Sequence, residues 1–260
     1  MNAHAKINLA LVVGPIRADG KHEVVTVLQR IDLADEITLE SADELAVAGF
    51  DGDTIVRAAL ESLAAAAGVE PHWRARIEKR IPVAAGLGGG SSDAAAALRL
   101  ANEMLADPLP DDRLRELAAT LGADVPFFLS HGSQLGTGDG STLERLELPL
   151  DYAVVLLLPR DATKESTAAV YAAFDRETGF EKRCAELRRA LKAGDLAAFP
   201  PNDLASSQLA FQLMGFGAFR ADVSGAGPAV YGLFRDTAAA RSAAAALEPL
   251  GRTWIARPSW

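Results

Sequence analysis

The sequence predicts an α+β protein built as two domains. Three observations carry that expectation. Its 260 residues suit two modest domains sharing a cleft. Apolar residues recur with period two at 5–13 and again at 73–77, with β-rich stretches between. In the second half, helical patterns give way to two short strands, a helix and a last strand, the outline of a small α+β sandwich.

Taken in order, residues 5–13 read as a strand with Ala5, Ile7, Leu9, Leu11 and Val13 on one face. Lys6 and Asn8 then stand side by side on the other face. Ala18-Asp19-Gly20 signals a turn before β-rich stretches at 23–33 and 35–40. A helix over 54–67 is stopped by Gly68. Trp73, Ala75 and Ile77 alternate as a strand that runs into Arg80-Ile81-Pro82. A glycine-rich loop follows, then a strongly helical run over 92–105 and a further helix over 112–121 ending at Gly122. Beyond it, 154–158 reads as a buried strand, and helices are expected at 163–174, 181–192 and 203–214. Strands at 219–223 and 229–234 pair around Gly225-Ala226-Gly227-Pro228, and a helix at 237–247 and a strand at 252–257 close the chain. The change of character at 145–152 divides the chain into domains 1–148 and 149–260. Alanine clusters at 64–67, 94–97 and 243–246 sit inside helical patterns and read as close helix packing.

Composition narrows the function. Apolar residues are 49% of the chain and the formal net charge is −9, without the basic stripe of a nucleic-acid binder. Cys184 is the only cysteine, so neither an intramolecular disulfide nor a cysteine zinc site is available, and the four histidines are scattered. No apolar run approaches the ~20 residues that span a bilayer. The N-terminus alternates apolar and polar residues, unlike a signal peptide. These features lead to a cytoplasmic protein, monomer or homodimer, whose partner is a small molecule rather than nucleic acid or membrane.

Four segments carry chemistry. Residues 82–93, Pro82-Val83-Ala84-Ala85-Gly86-Leu87-Gly88-Gly89-Gly90-Ser91-Ser92-Asp93, lie between a strand and an alanine-rich helix. Four glycines within 86–90 serve a backbone that takes unusual dihedrals or approaches a ligand closely. Ser91 or Ser92 can cap the helix, whose free amides and dipole make an anion site. No Lys-Ser/Thr pair follows, so this is not a P-loop. A flexible connection capped by serine has the same residues. Lys6 is the natural cation for a migrating phosphoryl group, and a solvated edge-strand lysine is the other reading. Asp124 follows a helix-stopping glycine and precedes the apolar Val125-Pro126-Phe127-Phe128, where a carboxylate can accept a hydroxyl proton or simply shape a turn. Ser224-Gly225-Ala226-Gly227-Pro228 is either a hairpin turn or a second close backbone approach to the phosphates or to the first glycine loop.

Together and in this order, these segments resemble the GHMP kinase superfamily. Ala5-Lys6-Ile7-Asn8-Leu9, residues 82–93 and residues 224–228 are similar to its three motifs. Within it, the chain is most similar to the kinases acting on a cytidine-diphosphate sugar alcohol of the non-mevalonate isoprenoid route. That likeness rests on Ala18-Asp19-Gly20-Lys21-His22-Glu23, Lys79-Arg80-Ile81-Pro82, residues 86–93, Gly122-Ala123-Asp124-Val125-Pro126 and Asn202-Asp203. The resemblance implies a two-domain fold with the active site in the interdomain cleft. It further implies Asp124 as catalytic aspartate, Lys6 as active-site lysine, Asn8 and Gly225 at the substrate, and His22 hydrogen-bonded to the cytosine. Pro82, Gly86, Leu87, Gly88, Gly89, Gly90, Ser91 and Ser92 would wrap ATP, with Mg2+ bridging the phosphates and Ser92 its candidate ligand. Lys21 stands where the family has an aromatic ring, and Phe199 matches a second stacking residue displaced by Pro200-Pro201. A kinase for another small alcohol, one using Lys21, and a nucleotide-binding protein without catalysis are the alternatives.

Overall fold

In the computed structural model, residues 1–162, 166–174 and 179–259 are described. The chain opens with a strand, β1 (Asn2–Ile16), buried along most of both faces rather than one. The expected polar face of Lys6 and Asn8 is therefore interior. A turn at Gly20 (φ +80°) leads into β2 (His22–Ser41). The two stretches expected at 23–33 and 35–40 are one continuous strand. Asp35 does not break it, because its carboxylate is bonded from the side by the residues that follow the fourth strand.

A short strand β3 (Ala46–Ala48) precedes α1 (Ile55–Ala67). Thr54 stands at the N-cap of α1, yet the Asp53 carboxylate takes the free amides of Val56 and Arg57, at 3.1 and 3.2 Å. Gly68, at φ +68°, closes the helix with a left-handed cap. Next come β4 (Trp73–Glu78), α2 (Gly89–Glu103), α3 (Asp111–Leu121) and the single turn α4 (Val125–Phe128). The helix expected from Ser92 starts three residues earlier, at Gly89, with Gly88 rather than a serine at the N-cap. The hairpin β5 (Ser133–Thr137) and β6 (Thr142–Leu146) was absent from the sequence-based expectation. Gly136, Gly138 and Gly140 mask it, since three glycines weaken a strand pattern.

The remaining elements are β7 (Ala153–Pro159), α5 (Thr167–Ala172), α6 (Phe180–Ala193), α7 (Gln208–Gly215), β8 (Arg220–Val223), β9 (Val230–Phe234), α8 (Thr237–Leu247) and β10 (Gly251–Ala256). Residues 163–165 of the helix expected at 163–174 lie outside the described residues. The helix expected from 203 begins only at Gln208, because Asn202 and Asp203 bond to backbone elsewhere.

The chain forms two compact units. The first takes Met1–Ala5, Leu33–Val83 and Gly88–His131. In it the later part of β2 pairs antiparallel with β4, Ile37 opposite Ile77, and β4 runs parallel to β3, Val47 beside Ala75. Helices α1 and α2 pack together, and Ala59, Ala64, Ala94, Ala97 and Ala101 on them are buried, small side chains that suit close approach. The second unit takes Lys6–Asp32, Ala84–Leu87 and Gly132–Trp260. There β5 pairs with the first part of β2, Val27 opposite Leu135, and an antiparallel sheet runs in the order β10-β7-β9-β8. Val155, Leu157, Val230 and Phe234 of that sheet form one core with Leu213 of α7 and Ala240, Ala243 and Leu247 of α8.

Candidate active site

Lys6 and Asn8 are interior, at 4% and 5% exposure. The Lys6 ammonium donates to Asn8 Oδ1 at 2.6 Å, and Asn8 Nδ2 donates to Thr26 Oγ1 at 2.8 Å. Thr26 in turn donates to the Ala10 carbonyl at 2.8 Å, so the amide cannot flip without losing both partners. A lysine is rarely so deeply enclosed unless its charge has a task or a partner.

Backbone glycines border this pair in the second unit. The Lys6 amide donates to the Leu87 carbonyl at 2.9 Å, and the Ser224 hydroxyl to the Gly86 carbonyl at 2.9 Å. The β8–β9 turn is a hairpin that also docks on the glycine loop, with Ala229 N on Ala85 O at 3.0 Å. Gly86 sits at φ +82°, and a Cβ there would lie 2.3 Å from the Ser224 carbonyl oxygen. Gly225 is held at φ +58°, and a Cβ there would lie 3.2 Å from Asn8 Oδ1 and 3.5 Å from the Lys6 ammonium. Ala84 also has a positive φ, +65°, which costs an alanine roughly 1–2 kcal/mol. The two glycine turns and the Lys6–Asn8 pair thus form one interlocked group.

In the first unit, Gly88 (φ +71°) starts α2, and Gly89, Gly90 and Ser91 form its first turn. The first amides of a helix have no acceptor within it, and the dipole there favours an anion. Ser92 and Asp93 are buried just behind, at 3% and 2% exposure. Burial pushes the Asp93 carboxyl up to about 7, against the opposing pull of the Lys79 ammonium at 2.8 Å. Asp124 occupies the N-cap position of α4, half-buried above Val125, Pro126, Phe127 and Phe128, all of them buried. Lys6 belongs to the second unit and Asp124 to the first.

His22 starts β2 in the second unit, its Nδ1 2.8 Å from the Gly14 carbonyl oxygen. Two rings border it: Tyr171 at 6.0 Å and Phe174 edge-on at 5.6 Å between centroids. Leu11, Val13, Val24 and Leu204 complete this apolar group. Lys21 points elsewhere, its ammonium 2.6 Å from Asp139 Oδ2. Phe199 is 4% exposed, with the Arg220 guanidinium 5.8 Å over its ring and donating to its carbonyl at 2.6 Å. Asn202 holds the carbonyl oxygens of Val223 and Gly225, at 3.0 and 2.6 Å, and Asp203 takes the Val13 amide and an ion pair with Arg183. Both brace the hairpin and β1 from outside the glycine turns.

Comparison with known proteins matches residues 54–132 to the family of GHMP kinases N terminal domain. The 4-diphosphocytidyl-2-C-methyl-D-erythritol kinase of Pelotomaculum thermopropionicum is 42% identical, over 94% of this chain and 91% of that one. The chain belongs to the 4-diphosphocytidyl-2-C-methyl-D-erythritol kinase family. A second member of that kinase family, from Salinibacter ruber, is 37% identical over 95% and 94% of the two chains. The crystal structure of a 4-(cytidine 5'-diphospho)-2C-methyl-D-erythritol kinase superposes with a TM-score of 0.84 at 32% identity, covering 100% and 99%. Homoserine kinase from Cytophaga hutchinsonii, with a TM-score of 0.76 at 17% identity over 100% and 96%, shares the fold.

For this member of the kinase family, sequence reasoning singled out Lys6, Asn8, Gly86 and Gly225, which the fold gathers into one group. It passed over Tyr171, Phe174 and Thr26. Tyr171 lies in a short helix with no buried residue of its own, so no apolar periodicity drew attention to it. Its signal was proximity to His22, which only the folded chain supplies.

Proposed function

We propose that this protein transfers the γ-phosphoryl group of ATP to the 2-hydroxyl of 4-diphosphocytidyl-2-C-methyl-D-erythritol, in the cytoplasmic formation of isoprenoid precursors by the non-mevalonate route. The observation that carries the reading is the enclosed Lys6 ammonium, fixed by Asn8 and bordered by Gly86 and Gly225, in a chain alike to these kinases over nearly its whole length.

In this reading the amides at the start of α2 hold the triphosphate, with the helix dipole adding to their pull. The acceptor hydroxyl oxygen forms a bond to Pγ while the bond from Pγ to the β,γ-bridging oxygen breaks, releasing ADP. The hydroxyl proton passes to the Asp124 carboxylate. Lys6 places positive charge against the charge spread over the migrating group, and Asn8 keeps the ammonium from wandering. His22 hydrogen-bonds the cytosine, and Tyr171 and Phe174 give its ring a surface to stack on, an arrangement worth about 1–3 kcal/mol per base.

Mg2+ fits such a site. No cluster of three or more His, Cys, Asp or Glu side chains exists among the described residues, and Mg2+ asks for none, since it binds through phosphates, waters and one or two protein oxygens. Ser92, in the first turn of α2, is the hydroxyl that would hold it, and the ion would neutralise charge building on the phosphate oxygens.

The test is turnover with several acceptors at equal ATP, followed by ADP release and phosphorus NMR of the product. Phosphorylation of the cytidine alcohol well above homoserine or mevalonate is expected. Activity on another alcohol with none on the cytidine compound would overturn the assignment.

A further inference from the structure

Asp35, in the second half of β2, is fully buried. Its Oδ1 accepts from the backbone amides of Arg80, at 2.5 Å, and Ile81, at 2.8 Å. Its Oδ2 pairs with the Lys79 ammonium. That ammonium also meets Asp93 Oδ2 at 2.8 Å, just beyond the first turn of α2. A Cβ on Gly89 would lie 3.2 Å from the Lys79 ammonium, so this lysine runs directly beneath the start of the helix. One carboxylate is thereby bonded to the residues before the glycine-rich loop and, through Lys79, to the residues after it. All of these groups belong to the first unit.

Stability alone is a weak account of this arrangement. Two buried carboxylates share one ammonium, and Asp93 Oδ1 is buried without a hydrogen-bond partner. Such clusters are often no more stabilising than an apolar replacement of the same volume, because desolvation offsets the attraction. What the cluster supplies is geometry. A loop rich in glycine loses much conformational freedom when it closes on a ligand, and holding both of its ends in place beforehand lowers that cost.

Resting on the kinase reading above, we propose that Asp35 is a positioning residue for ATP: through the Arg80 and Ile81 amides and the Lys79–Asp93 link, it aligns the glycine-rich loop and the first turn of α2 before the nucleotide arrives. Asp35 touches neither substrate and acts only through these neighbours. Its loss therefore shows on the nucleotide side of the reaction and not on the acceptor side.

The experiment compares wild type with Asp35→Ala and Asp35→Asn, measuring ADP binding by calorimetry and KM for both substrates. Asparagine keeps an oxygen for the two backbone amides, whereas alanine keeps nothing. Asp35→Ala should weaken ADP binding and raise the KM for ATP by about tenfold or more, leave the acceptor KM within about twofold, and Asp35→Asn should recover most of the loss. Unchanged ADP affinity, or equal shifts in both KM values with no recovery in the asparagine variant, overturns the proposal. Should the alanine variant fail to fold, Asp93→Ala carries the test. It cuts the link to α2, and the same one-sided split is expected, with a change in both KM values or in neither counting against the idea. ADP calorimetry needs no acceptor. An enzyme inactive on the cytidine alcohol would therefore sink the functional reading while leaving this comparison intact.

Discussion

The Lys6 ammonium and the Asn8 side-chain oxygen lie 2.6 Å apart inside the second unit, two positions apart on one strand. Residues i and i+2 of a strand share a face, so the pairing follows from β geometry; its seclusion follows from what packs on that face. Asn8 is itself fixed by Thr26. Asn8→Ala should therefore loosen the hold on the ammonium and lower kcat about 100-fold, with the melting temperature lowered as well by the buried polar partners it leaves. Steady-state kinetics beside thermal unfolding checks it, and a tenfold or smaller loss would demote Asn8 to packing.

Asp124 stands at the start of α4, half-buried and with buried neighbours on its C-terminal side. Asp124→Asn keeps the volume and removes the proton acceptor. The variant should fold as the wild type does, bind ADP with unchanged affinity, and lose about 10²–10⁴ of its turnover. Retained turnover would remove Asp124 from the chemistry.

Gly86 has no room for a side chain. Its φ of +82° disfavours any Cβ, and the Ser224 carbonyl oxygen would lie 2.3 Å from one. Gly86→Ala should lower the stability of the fold by about 2 kcal/mol or more, read from urea midpoints, and weaken ATP binding together with it. Gly68→Ala, with a similar φ of +68° but open space around it, isolates the backbone contribution and should cost about half as much.

His22 and Tyr171 are assigned to the base of the acceptor. His22→Ala and Tyr171→Ala should each raise the acceptor KM about tenfold while the KM for ATP stays put. Equal effects on both substrates would move these residues out of the acceptor site.

Asp139 predicts an acid-dependent contribution. The hydrogen bond from Lys21, helped by Ser141, holds its carboxyl down at about 2, below the ordinary value of 3.8. A depressed folded-state value means the contribution is complete above the ordinary range and fades as pH falls through about 2. The stability difference between wild type and Asp139→Asn should thus shrink by roughly half between pH 6 and pH 3. Denaturant titrations at the two pH values decide it, and a pH-independent difference would show that the carboxylate charge is not what Lys21 uses.

Much of this was open to reading beforehand. Period-two patterns located β1 and β4, a buried apolar run located β7, pairing around a glycine turn located β9, and glycine stops located the ends of α1 and α3, because these signals act within a few residues. The start of α2 lies three residues before the serine start that the sequence predicts, since serines are good N-caps in isolation while here Gly88 takes the left-handed cap. The hairpin of β5 and β6 escaped because its glycines carry no apolar signal.

The amino-acid order alone settled which chemical groups the protein owns: a lysine and an asparagine on one strand face, two glycine turns, and an aspartate before an apolar turn. Local sterics and short-range hydrogen bonding write such features directly into the chain. Only the tertiary structure decided that residues 84–87 and 224–227 interlock beside Lys6, that His22 is bordered by Tyr171, and that Asp35 is bonded to the residues before the glycine loop and, through Lys79, linked to Asp93 after it. Those contacts join residues distant along the chain, and burial and hydrogen-bond satisfaction, not periodicity, select them.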